Sequence, residues 1–554
     1  MTTPSKNTRK NSPRLILNKV SYSLPNTPVR FSDINISFEN GKYGITGQNG
    51  VGKTTFLRLL IGDVHPSSGS IQRLGHLINV PQNHALIETN ALVSDALGVS
   101  HILHALKRIN TGNIHESDFE IMTDFWDIEK RIQVALNHFN LWPMDLNKPF
   151  HQLSGGQKTK ILLAKTFILP ADFYLFDEPT NNLDRESRQI LYQYIKDSPK
   201  AMIIVSHDRT LLSHCDKMIE ITTKGIGVYG GNYDFYKEQK ENKVQAIQQE
   251  IQARTEILLK AKKNVQTRME RHQQNEAKGR KEKVTQIKAK GSYDKIALKA
   301  QKGRSEKTNR RIRLQSDRKL TLINEELLDA RNQLEIGEKL DVCLEATKVP
   351  NNKSVISIKE LSFGYNTDNH LFKAFNFNLT GPNRIALQGP NGSGKSTLIK
   401  LIRGLLEPNA GEIHVGVNSI GYLDQTVSCL DHDLSLIDNF LKQNPNAKPF
   451  DAYRALAAFK FRNIDTEKNV KALSGGERVR AGLAISLMSA PAPQIIILDE
   501  PTNHLDLDSI VAIETALKQY QGALIAVSHD DSFLKNINIT EIININHASN
   551  ITTK

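Results

Sequence analysis

The chain has 554 residues, enough for about three domains of ordinary size, and 39% hydrophobic and 24% charged residues, which is typical of globular proteins. Its three cysteines lack the paired spacing of zinc or iron–sulfur sites, which argues against a disulfide framework or a cysteine metal cluster. Residues 1–13 are polar and basic, and no apolar stretch is long enough to span a membrane. We expect a cytoplasmic protein, and its net charge of +13 suggests an acidic partner.

Four motifs occur twice in the same order. GQNGVGKT at residues 47–54 is matched by GPNGSGKS at 389–396, LSGGQ at 153–157 by LSGGE at 473–477, FDEPTNNLD at 176–184 by LDEPTNHLD at 498–506, and VSHD at 205–208 by VSHD at 527–530. This order indicates a tandem duplication. The first copy contains about 20 extra residues between its first and second motifs. They predict a helical insert at about 101–137.

Short apolar runs lead into the motifs in both copies, at residues 44–46, 173–176, 384–387 and 495–498. Runs of this length that end in turn residues are typical of buried parallel strands, and the segments after residues 53 and 395 read as helices. The sequence therefore predicts two α/β domains with doubly wound sheets, at 14–236 and 352–554, after a flexible tail at 1–13.

The connector at 237–345 differs from both copies in composition. Residues 237–319 contain 25 Lys and Arg against 10 Asp and Glu, a net charge of +15, so the rest of the chain sums to −2. Apolar residues recur at heptad-like intervals at both ends of the connector, at Val244, Ile247, Ile251, Leu258 and Val265 and again at Leu320, Ile323, Leu327 and Leu334. We predict an antiparallel helical hairpin with a basic tip. A solvated, disordered linker is the alternative.

Each copy begins with a phosphate loop of the form GxxxxGK[ST]. Its backbone N–H groups can surround a β-phosphate, Lys53 or Lys395 can offset the charge of the β- and γ-phosphates, and the hydroxyl of Thr54 or Ser396 can bind Mg²⁺. A structural glycine-rich turn is the alternative for one such motif, but not for two in the same context.

An aspartate and a glutamate follow the buried strand of each copy. Asp177 or Asp499 can hold Mg²⁺ through water, and Glu178 or Glu500 can orient or deprotonate the attacking water. The LSGG segments place a serine and two glycines at a helix start, where N–H groups and the helix dipole favour an anion. An ordinary N-cap would explain these serines equally well if they stood alone.

Together with Gln82, Gln425, His207 and His529, these motifs resemble the ATP-binding cassette ATPases over both halves of the chain. The resemblance implies that the two cassettes close head to tail, so that the LSGG segment of each lies over the ATP held by the phosphate loop of the other. Both sites contain the full set of residues and are expected to hydrolyse ATP. Copy one departs from the pattern at Asn182, and it has Leu24 where copy two has Tyr365 to stack on adenine. Two orientations are open for Tyr22: it can substitute in stacking, or it can point into the sheet.

The resemblance assigns roles to residues of both copies. The predicted catalytic residues are Glu178, Glu500, His207 and His529. The predicted magnesium site residues are Thr54, Gln82, Asp177, Ser396, Gln425 and Asp499. The predicted nucleotide-binding residues are Gly47, Gln48, Asn49, Gly50, Val51, Gly52, Lys53, Thr54, Thr55, Ser154, Gly155, Gly156 and Gln157 from copy one, and Tyr365, Gly389, Pro390, Asn391, Gly392, Ser393, Gly394, Lys395, Ser396, Thr397, Ser474, Gly475, Gly476 and Glu477 from copy two.

Two cassettes joined by a charged helical linker are similar to the ABC-F subfamily. That resemblance implies a monomeric protein whose linker enters the ribosome near the exit and peptidyl-transferase sites, contacts ribosomal RNA, can reach tRNA, and leaves on ATP hydrolysis. The basic residues expected to contact RNA are Lys278, Arg280, Lys281, Lys283, Lys288 and Lys290. The resemblance leaves open whether the protein modulates translation or protects ribosomes from antibiotics.

Two other functions remain open at this stage. A pair of transporter cassettes that act with separate membrane subunits would explain the ATPase motifs but not the basic hairpin. A DNA-repair or chromosome-organising protein is the third class, which the short linker disfavours.

Overall fold

The computed structural model describes residues 13–23, 31–82, 90–113, 115–289, 314, 318, 320–328, 347–365, 370–424, 426–459, 461, 463–503 and 505–545. The chain forms two units. One consists of Met1–Tyr236 together with Lys339–Lys554 and contains both cassettes, and the other is Lys237–Glu338. The first is called cassette 1 up to residue 236 and cassette 2 from residue 347.

Cassette 1 contains two sheets. Its strands are β1 (Arg14–Tyr22), β2 (Phe31–Phe38), β3 (Lys42–Gly47), β4 (Ser68–Leu74), β5 (Leu77–Val80), β6 (Phe173–Asp177), β7 (Ala201–Val205), β8 (Lys217–Thr222) and β9 (Gly225–Tyr229). The larger sheet has the order β5-β6-β7-β3-β8-β9 and is parallel except for β9. The smaller, β2-β1-β4, is antiparallel. Every residue of β6 and β7 is buried, as expected for central strands with both faces covered.

The helices of cassette 1 pack on its larger sheet and form the insert. They are α1 (Lys53–Ile61), α2 (Val93–Leu97), α3 (Ser100–Asn110), α4 (Glu116–Met122), α5 (Ile128–His138), α6 (Gly155–Ile168), α7 (Arg185–Asp197) and α8 (Arg209–Leu212). Helices α3 to α5 cover the predicted insert. The fully buried Asp118 forms an ion pair with Arg108 there, which joins α4 to α3.

Cassette 2 repeats this plan. Its strands are β10 (Ser354–Phe363), β11 (Phe372–Thr380), β12 (Arg384–Gln388), β13 (Ala410–Val415), β14 (Ile420–Leu423), β15 (Ile495–Asp499), β16 (Ala523–Val527) and β17 (Glu541–Asn544). The order β14-β15-β16-β12-β17 is parallel, and β11-β10-β13 is antiparallel. The predicted fold class, with an α/β domain in each copy, is therefore confirmed. The antiparallel sheets are an addition that the sequence interpretation did not contain.

Seven helices complete cassette 2 in the described part of the chain. Helix α10 (Lys395–Ile402) follows the phosphate loop, α14 (Gly475–Leu487) follows the LSGG segment, and α15 (Leu507–Gln519) and α16 (Asp531–Asn536) follow the later motifs. The remaining ones are α11 (Leu436–Gln443), α12 (Pro449–Ala458) and α13 (Asn463–Thr466).

The second unit begins within a long helix, α9 (Tyr233–Ala289), and residues 320–328 are also helical. Two residues of the apolar stripe are buried, Leu258 with 8% and Leu327 with 6% of its surface exposed. Arg254 Nη1 donates to the backbone oxygen of Glu326 at 2.8 Å, so the two segments lie side by side. Leu334 lies outside the described residues, and the coiled coil stays a prediction.

Candidate functional site

The phosphate loops lie between the central strand and the following helix of each cassette. Residues 47–52 connect β3 to α1, and residues 389–394 connect β12 to α10. Lys53 Nζ donates to the backbone oxygens of Gly47 at 2.7 Å and Gln48 at 3.1 Å. Lys395 Nζ makes the equivalent bonds to Gly389 and Pro390, at 2.7 and 3.0 Å. Both ammonium groups are therefore held inside their loops. Each lies at the start of a helix whose N–H groups can donate hydrogen bonds to a phosphate.

Close backbone approach explains the first glycine of each loop. Gly47 has a φ of +154°, and a Cβ there would lie 2.2 Å from the backbone oxygen of Ile221. The equivalent Cβ on Gly389 would lie 2.3 Å from the oxygen of Ile545. No larger residue fits either position without moving the neighbouring strand.

The predicted catalytic glutamates adopt a strained backbone conformation. Glu178 and Glu500, which directly follow β6 and β15, both have a φ of +50°, a left-handed conformation that residues with a side chain rarely adopt. Their N–H groups donate to the backbone oxygens of Val205 at 2.8 Å and Val527 at 2.9 Å. These bonds to the adjacent strands hold the strained conformation.

A histidine lies next to each glutamate; His207 and His529 are the switch histidines that the resemblance predicts. Nε2 of His207 is 3.4 Å from Glu178 Oε1, and Nε2 of His529 is 3.4 Å from Glu500 Oε1. Burial, with a smaller contribution from Lys53, holds the pKa of His207 well below its usual value, and burial lowers the pKa of His529 to about 3. Both imidazoles are therefore neutral near pH 7, and their nitrogens can accept or donate single hydrogen bonds.

Burial also acts on the carboxylates and lysines. It raises the pKa of Glu178 to about 8, against the opposing effect of Lys53. It raises the pKa of Glu500 to about 7, against the opposing effects of Arg188 of cassette 1 and Lys395 of cassette 2. Burial lowers the pKa of both loop lysines, and the nearby carboxylates oppose it. Each site thus pairs a buried lysine with a buried glutamate.

The residues of site 1, around Lys53, fit a ligand with phosphate and a hard cation. Buried atoms without a hydrogen-bond partner in the described structure are Asp177 Oδ1, Glu178 Oε1, Asn181 Nδ2 and both ring nitrogens of His207. The Thr54 hydroxyl bonds to Asp177, and in cassette 2 Ser396 Oγ donates to Asp499 Oδ2 at 3.2 Å. Hydroxyl and carboxylate oxygens are ligands that Mg²⁺ prefers. Gln82 is exposed and lines the same cavity, whereas Gln425 lies outside the described residues.

The LSGG serines cap their helices. Ser154 Oγ accepts from the N–H of Gln157, whose side chain accepts from the N–H of Ser154, and Ser474 and Glu477 form the same capping box. The capping interpretation and the phosphate interpretation therefore both apply, because the cap fixes the helix start that presents the glycine N–H groups. The side chains of Gln157 and Glu477 are used in the cap, and their role in nucleotide binding stays a prediction.

Each site is composed of residues from both cassettes. Site 1 is a cavity of about 450 Å³ in which the loop residues 49–55 and Glu178 face Gly475 and Arg478 of cassette 2. The backbone N–H of Asn49 donates to Asp506 Oδ2 at 3.2 Å. In site 2, around Lys395, Asn391 Nδ2 donates to the backbone oxygen of Asn182 at 3.3 Å. The described cassettes thus face each other head to tail.

The predicted adenine-stacking residue lies at the edge of site 2. Tyr365 is 65% exposed, its ring packs edge-on against Phe363 at 5.2 Å, and its hydroxyl lies 3.1 Å from Thr397 Oγ1. In cassette 1, Tyr22 is partly buried and packs against the core under the smaller sheet, in agreement with the orientation into the sheet. Leu24 lies outside the described residues.

The basic residues of the linker are described only in part. Lys278 is exposed on α9. The backbone of Arg280, Lys281, Lys283 and Lys288 belongs to the same helix, but their side chains and Lys290 lie outside the described residues. Their contact with RNA stays a prediction.

Sequence interpretation missed several residues at the contact between the cassettes. Asp506 ends a quoted motif but was given no role, although its carboxylate reaches the opposite phosphate loop. Arg188, Arg209 and Glu514 lie in helical segments without a motif and are buried between the cassettes. The sequence does contain one signal for them: each is charged, and the equivalent position of the other copy holds a different kind of residue.

The glycines of the LSGG segments differ in the space around them, which gives a test. A Cβ on Gly476 would lie 2.2 Å from Ser509 Oγ, so we expect Gly476→Ala to lower the free energy of unfolding by about 1–3 kcal/mol. The control is Gly155→Ala, whose Cβ would meet nothing closer than 3.9 Å and which should be neutral or slightly stabilising. Thermal unfolding of both variants without nucleotide checks this, and equal effects would contradict it.

Comparison with known proteins agrees with the geometry. The family model described as "ABC transporter" matches residues 31–181 and 372–503, just over half of the chain. The chain is 29% identical over 534 residues to the "Energy-dependent translational throttle protein EttA" of Mycobacterium tuberculosis, covering 91% of this chain and 87% of that one. It is 27% identical to the "ATP-binding cassette sub-family F member 3" of Pongo abelii, covering 91% and 67%.

A solved structure shares the fold. The structure titled "RNase-L Inhibitor" superposes with a TM-score of 0.57 at 18% identity, covering 96% of this chain and 87% of that chain. None of the helices in the described ranges has the length and apolarity needed to cross a membrane. The chain belongs to the ATP-binding cassette family, in its F subfamily, and is an ATP-hydrolysing enzyme.

Proposed function

We propose that the protein binds two ATP molecules between its cassettes and hydrolyses both. In site 1, the loop N–H groups and Lys53 bind the β- and γ-phosphates, and the LSGG segment of cassette 2 contacts the γ-phosphate from the other side. Thr54, Asp177 and Gln82 would hold Mg²⁺, which offsets the phosphate charge when bound. In its ionised form Glu178 orients the attacking water and accepts its proton, and the raised pKa makes that carboxylate a stronger base. His207 donates a hydrogen bond toward the γ-phosphate. Site 2 uses the equivalent residues.

The observation that supports this proposal is the pairing of each phosphate loop with the opposite cassette. A site made from two cassettes is complete only when they are closed, so binding of ATP favours the closed arrangement. Hydrolysis removes the γ-phosphate that both cassettes contact and thereby favours opening. The expected result is a chain whose closure follows the nucleotide state.

We further propose that the closed form binds the ribosome through the basic linker and modulates translation. The support is the name of the similar mycobacterial protein, a translational throttle, and the net charge of +15 on residues 237–319. One strongly basic element suits the phosphate backbone of RNA, whereas the remainder of the chain, at −2, does not. Solubilisation of a helical hairpin does not require so one-sided an excess.

Sedimentation separates this function from that of a transporter subunit. In a lysate with a non-hydrolysable ATP analogue, we expect the protein in the ribosome fraction and not with membranes. Sedimentation with membranes alone would contradict the ribosomal function and favour the transporter alternative. DNA-stimulated turnover without any effect of ribosomes would favour the DNA-binding alternative.

Protection from antibiotics is the second candidate at the same ribosomal site. The segment between Gly279 and Gly303 contains few aromatic or apolar residues, and the candidates to reach toward a drug are Tyr293, Ile296 and Leu298. All three lie outside the described residues. Drug susceptibility of cells with and without the protein distinguishes protection from modulation of translation.

Tyr365 provides a test of the adenine position. Loss of its ring in Tyr365→Ala should weaken ATP binding at one of the two sites by about 1–3 kcal/mol, because stacking of a base on an aromatic ring contributes that much. Tyr365→Phe is the control, since it retains the ring and loses only the contact with Thr397. Titration with a fluorescent ATP analogue measures both sites, and equal binding by the alanine and phenylalanine variants would disprove stacking.

A further inference from the structure

The charges at the contact between the cassettes are one-sided. Arg209 Nη1 and Nη2 donate to Glu514 Oε1 and Oε2 at 2.8 and 3.3 Å, and both side chains are more than nine-tenths buried. Arg185 Nη2 donates to Asp531 Oδ2 at 3.2 Å, at a half-exposed position. In both pairs cassette 1 supplies the arginine and cassette 2 supplies the acid.

A third arginine of cassette 1 lies between them. Arg188 is 8% exposed, its Nη1 is 3.8 Å from Asp208 Oδ2, and its Nε has no hydrogen-bond partner within the described ranges. Asp530 of cassette 2 lines the same small cavity. Burial lowers the pKa of Arg188, but Asp208 and, more weakly, Tyr192, Glu500 and Asp530 raise it above its usual value. The positive charge of cassette 1 thus faces acids of both cassettes.

The equivalent positions of the two copies do not form a second set of these ion pairs. Positions in the two copies are related by an offset of 322 in this region, since His207 corresponds to His529. The counterparts of Arg185, Arg188 and Arg209 are Leu507, Ile510 and Asp531, and the counterpart of Glu514 is Tyr192. Each ion pair therefore exists once and not twice, although the two cassettes have the same fold.

Pairs of like cassettes would bring like charges together. In a pair of two cassettes 1, Arg185 would face Arg209 instead of Asp531, and Arg209 would face Tyr192 instead of an acid. In a pair of two cassettes 2, Asp531 would face Glu514. Like charges at a buried contact are strongly unfavourable, and such arrangements discriminate against wrong partners.

We propose that Arg185, Arg188 and Arg209 form a recognition surface of cassette 1 for the acids of cassette 2, which selects closure between unlike cassettes over pairing of like cassettes from two chains. The selected partner is the second cassette of the same chain. This inference rests on the ATP-driven closure proposed above and adds to it the residues that choose the partner.

Reversal of one charge tests the recognition surface in the full chain. Glu514→Arg places two arginines together within the chain. Because the loss of a buried ion pair is costly, we expect the equilibrium constant for closure of the two cassettes to fall roughly 100-fold or more. In a pair of two cassettes 2, the same substitution places the new guanidinium opposite Asp531 twice. We therefore expect Glu514→Arg to close poorly within the chain and to form dimers that depend on nucleotide.

The measurement uses the full chain with a non-hydrolysable ATP analogue. Small-angle scattering reports closure, and light scattering after size exclusion reports mass. Adding Arg209→Glu to Glu514→Arg restores the ion pair with exchanged partners, and we expect closed monomers again. Reversal of Lys468 and Asp465, an exposed ion pair within cassette 2, is the control and should change neither quantity.

The half-exposed pair provides a second variant that does not depend on a buried charge. Asp531→Arg should also weaken closure, and Arg185→Asp in the same chain should restore it. If the unmodified chain stays open with the analogue, both the closure and the recognition surface are wrong. If it closes, and Glu514→Arg and Asp531→Arg close equally well as monomers, only the recognition surface is wrong.

Discussion

Glu178→Gln combined with Glu500→Gln should reduce ATP turnover by about 100-fold or more, because a positioned general base contributes about 10²–10⁴-fold to such a reaction. Both glutamates lie within 3.4 Å of a switch histidine and have buried oxygens without partners in the described structure. Glutamine has the same shape and keeps the backbone conformation but cannot accept the proton. ATP should therefore stay bound, and the chain should remain closed and attached to its target.

The single variants are the matched controls for this result. Each should retain the turnover of the other site, and together they show whether both sites hydrolyse ATP. Turnover is measured as phosphate release at saturating ATP, and bound nucleotide is measured separately by filtration. Unchanged turnover in the double variant would disprove the assignment of the general base, even if ATP binding were normal.

Replacing Lys278, Arg280, Lys281, Lys283, Lys288 and Lys290 by serine should weaken ribosome binding on the order of 100-fold at low salt. Each lost phosphate contact also reduces the dependence of the binding constant on salt, by about 0.7–0.9 in the logarithmic slope. Six lost contacts should reduce that slope by about 4–5. ATP turnover without ribosomes should stay normal, because the changes lie outside both sites.

The control for this variant removes the same charge from another part of the helix. The residues replaced by serine are then Lys237, Lys243, Lys260, Lys262, Lys263 and Arg271, all exposed on α9. Binding is measured by co-sedimentation across a salt titration. If both sets of changes have the same effect, net charge alone determines binding, and the assignment of the tip is wrong.

The repeated motifs predicted the fold class, and the described motif residues lie close together within each cassette. A phosphate loop, an Asp-Glu pair after a buried strand and a switch histidine are local features, because each depends on one strand end and its turn. Glu178 and His207 are 29 residues apart in the chain, yet both follow neighbouring strands, β6 and β7, whose order the fold class implies.

Features that depend on the contact between cassettes were not predictable in the same way. Arg188 and Glu514 lie on helices where a charged residue is ordinarily solvated, yet both are buried at the contact between the cassettes. Tyr22 is a similar case, because alternation along a strand does not say which face is covered. The sequence indicates these contacts only through differences in charge between equivalent positions of the two copies. Such differences can be interpreted only when the two copies are known to face each other.

The left-handed backbone of Glu178 and Glu500 has a consequence for how the enzyme tolerates change. Glycine adopts this conformation without the cost of about 1–3 kcal/mol that other residues bear there, and it would also remove a buried carboxylate. We expect Glu178→Gly and Glu500→Gly to unfold at higher temperature than the unmodified chain while losing hydrolysis. Selection for thermal stability alone would therefore favour replacement of Glu178 and Glu500 by glycine. Selection for ATP turnover is needed to retain these two carboxylates.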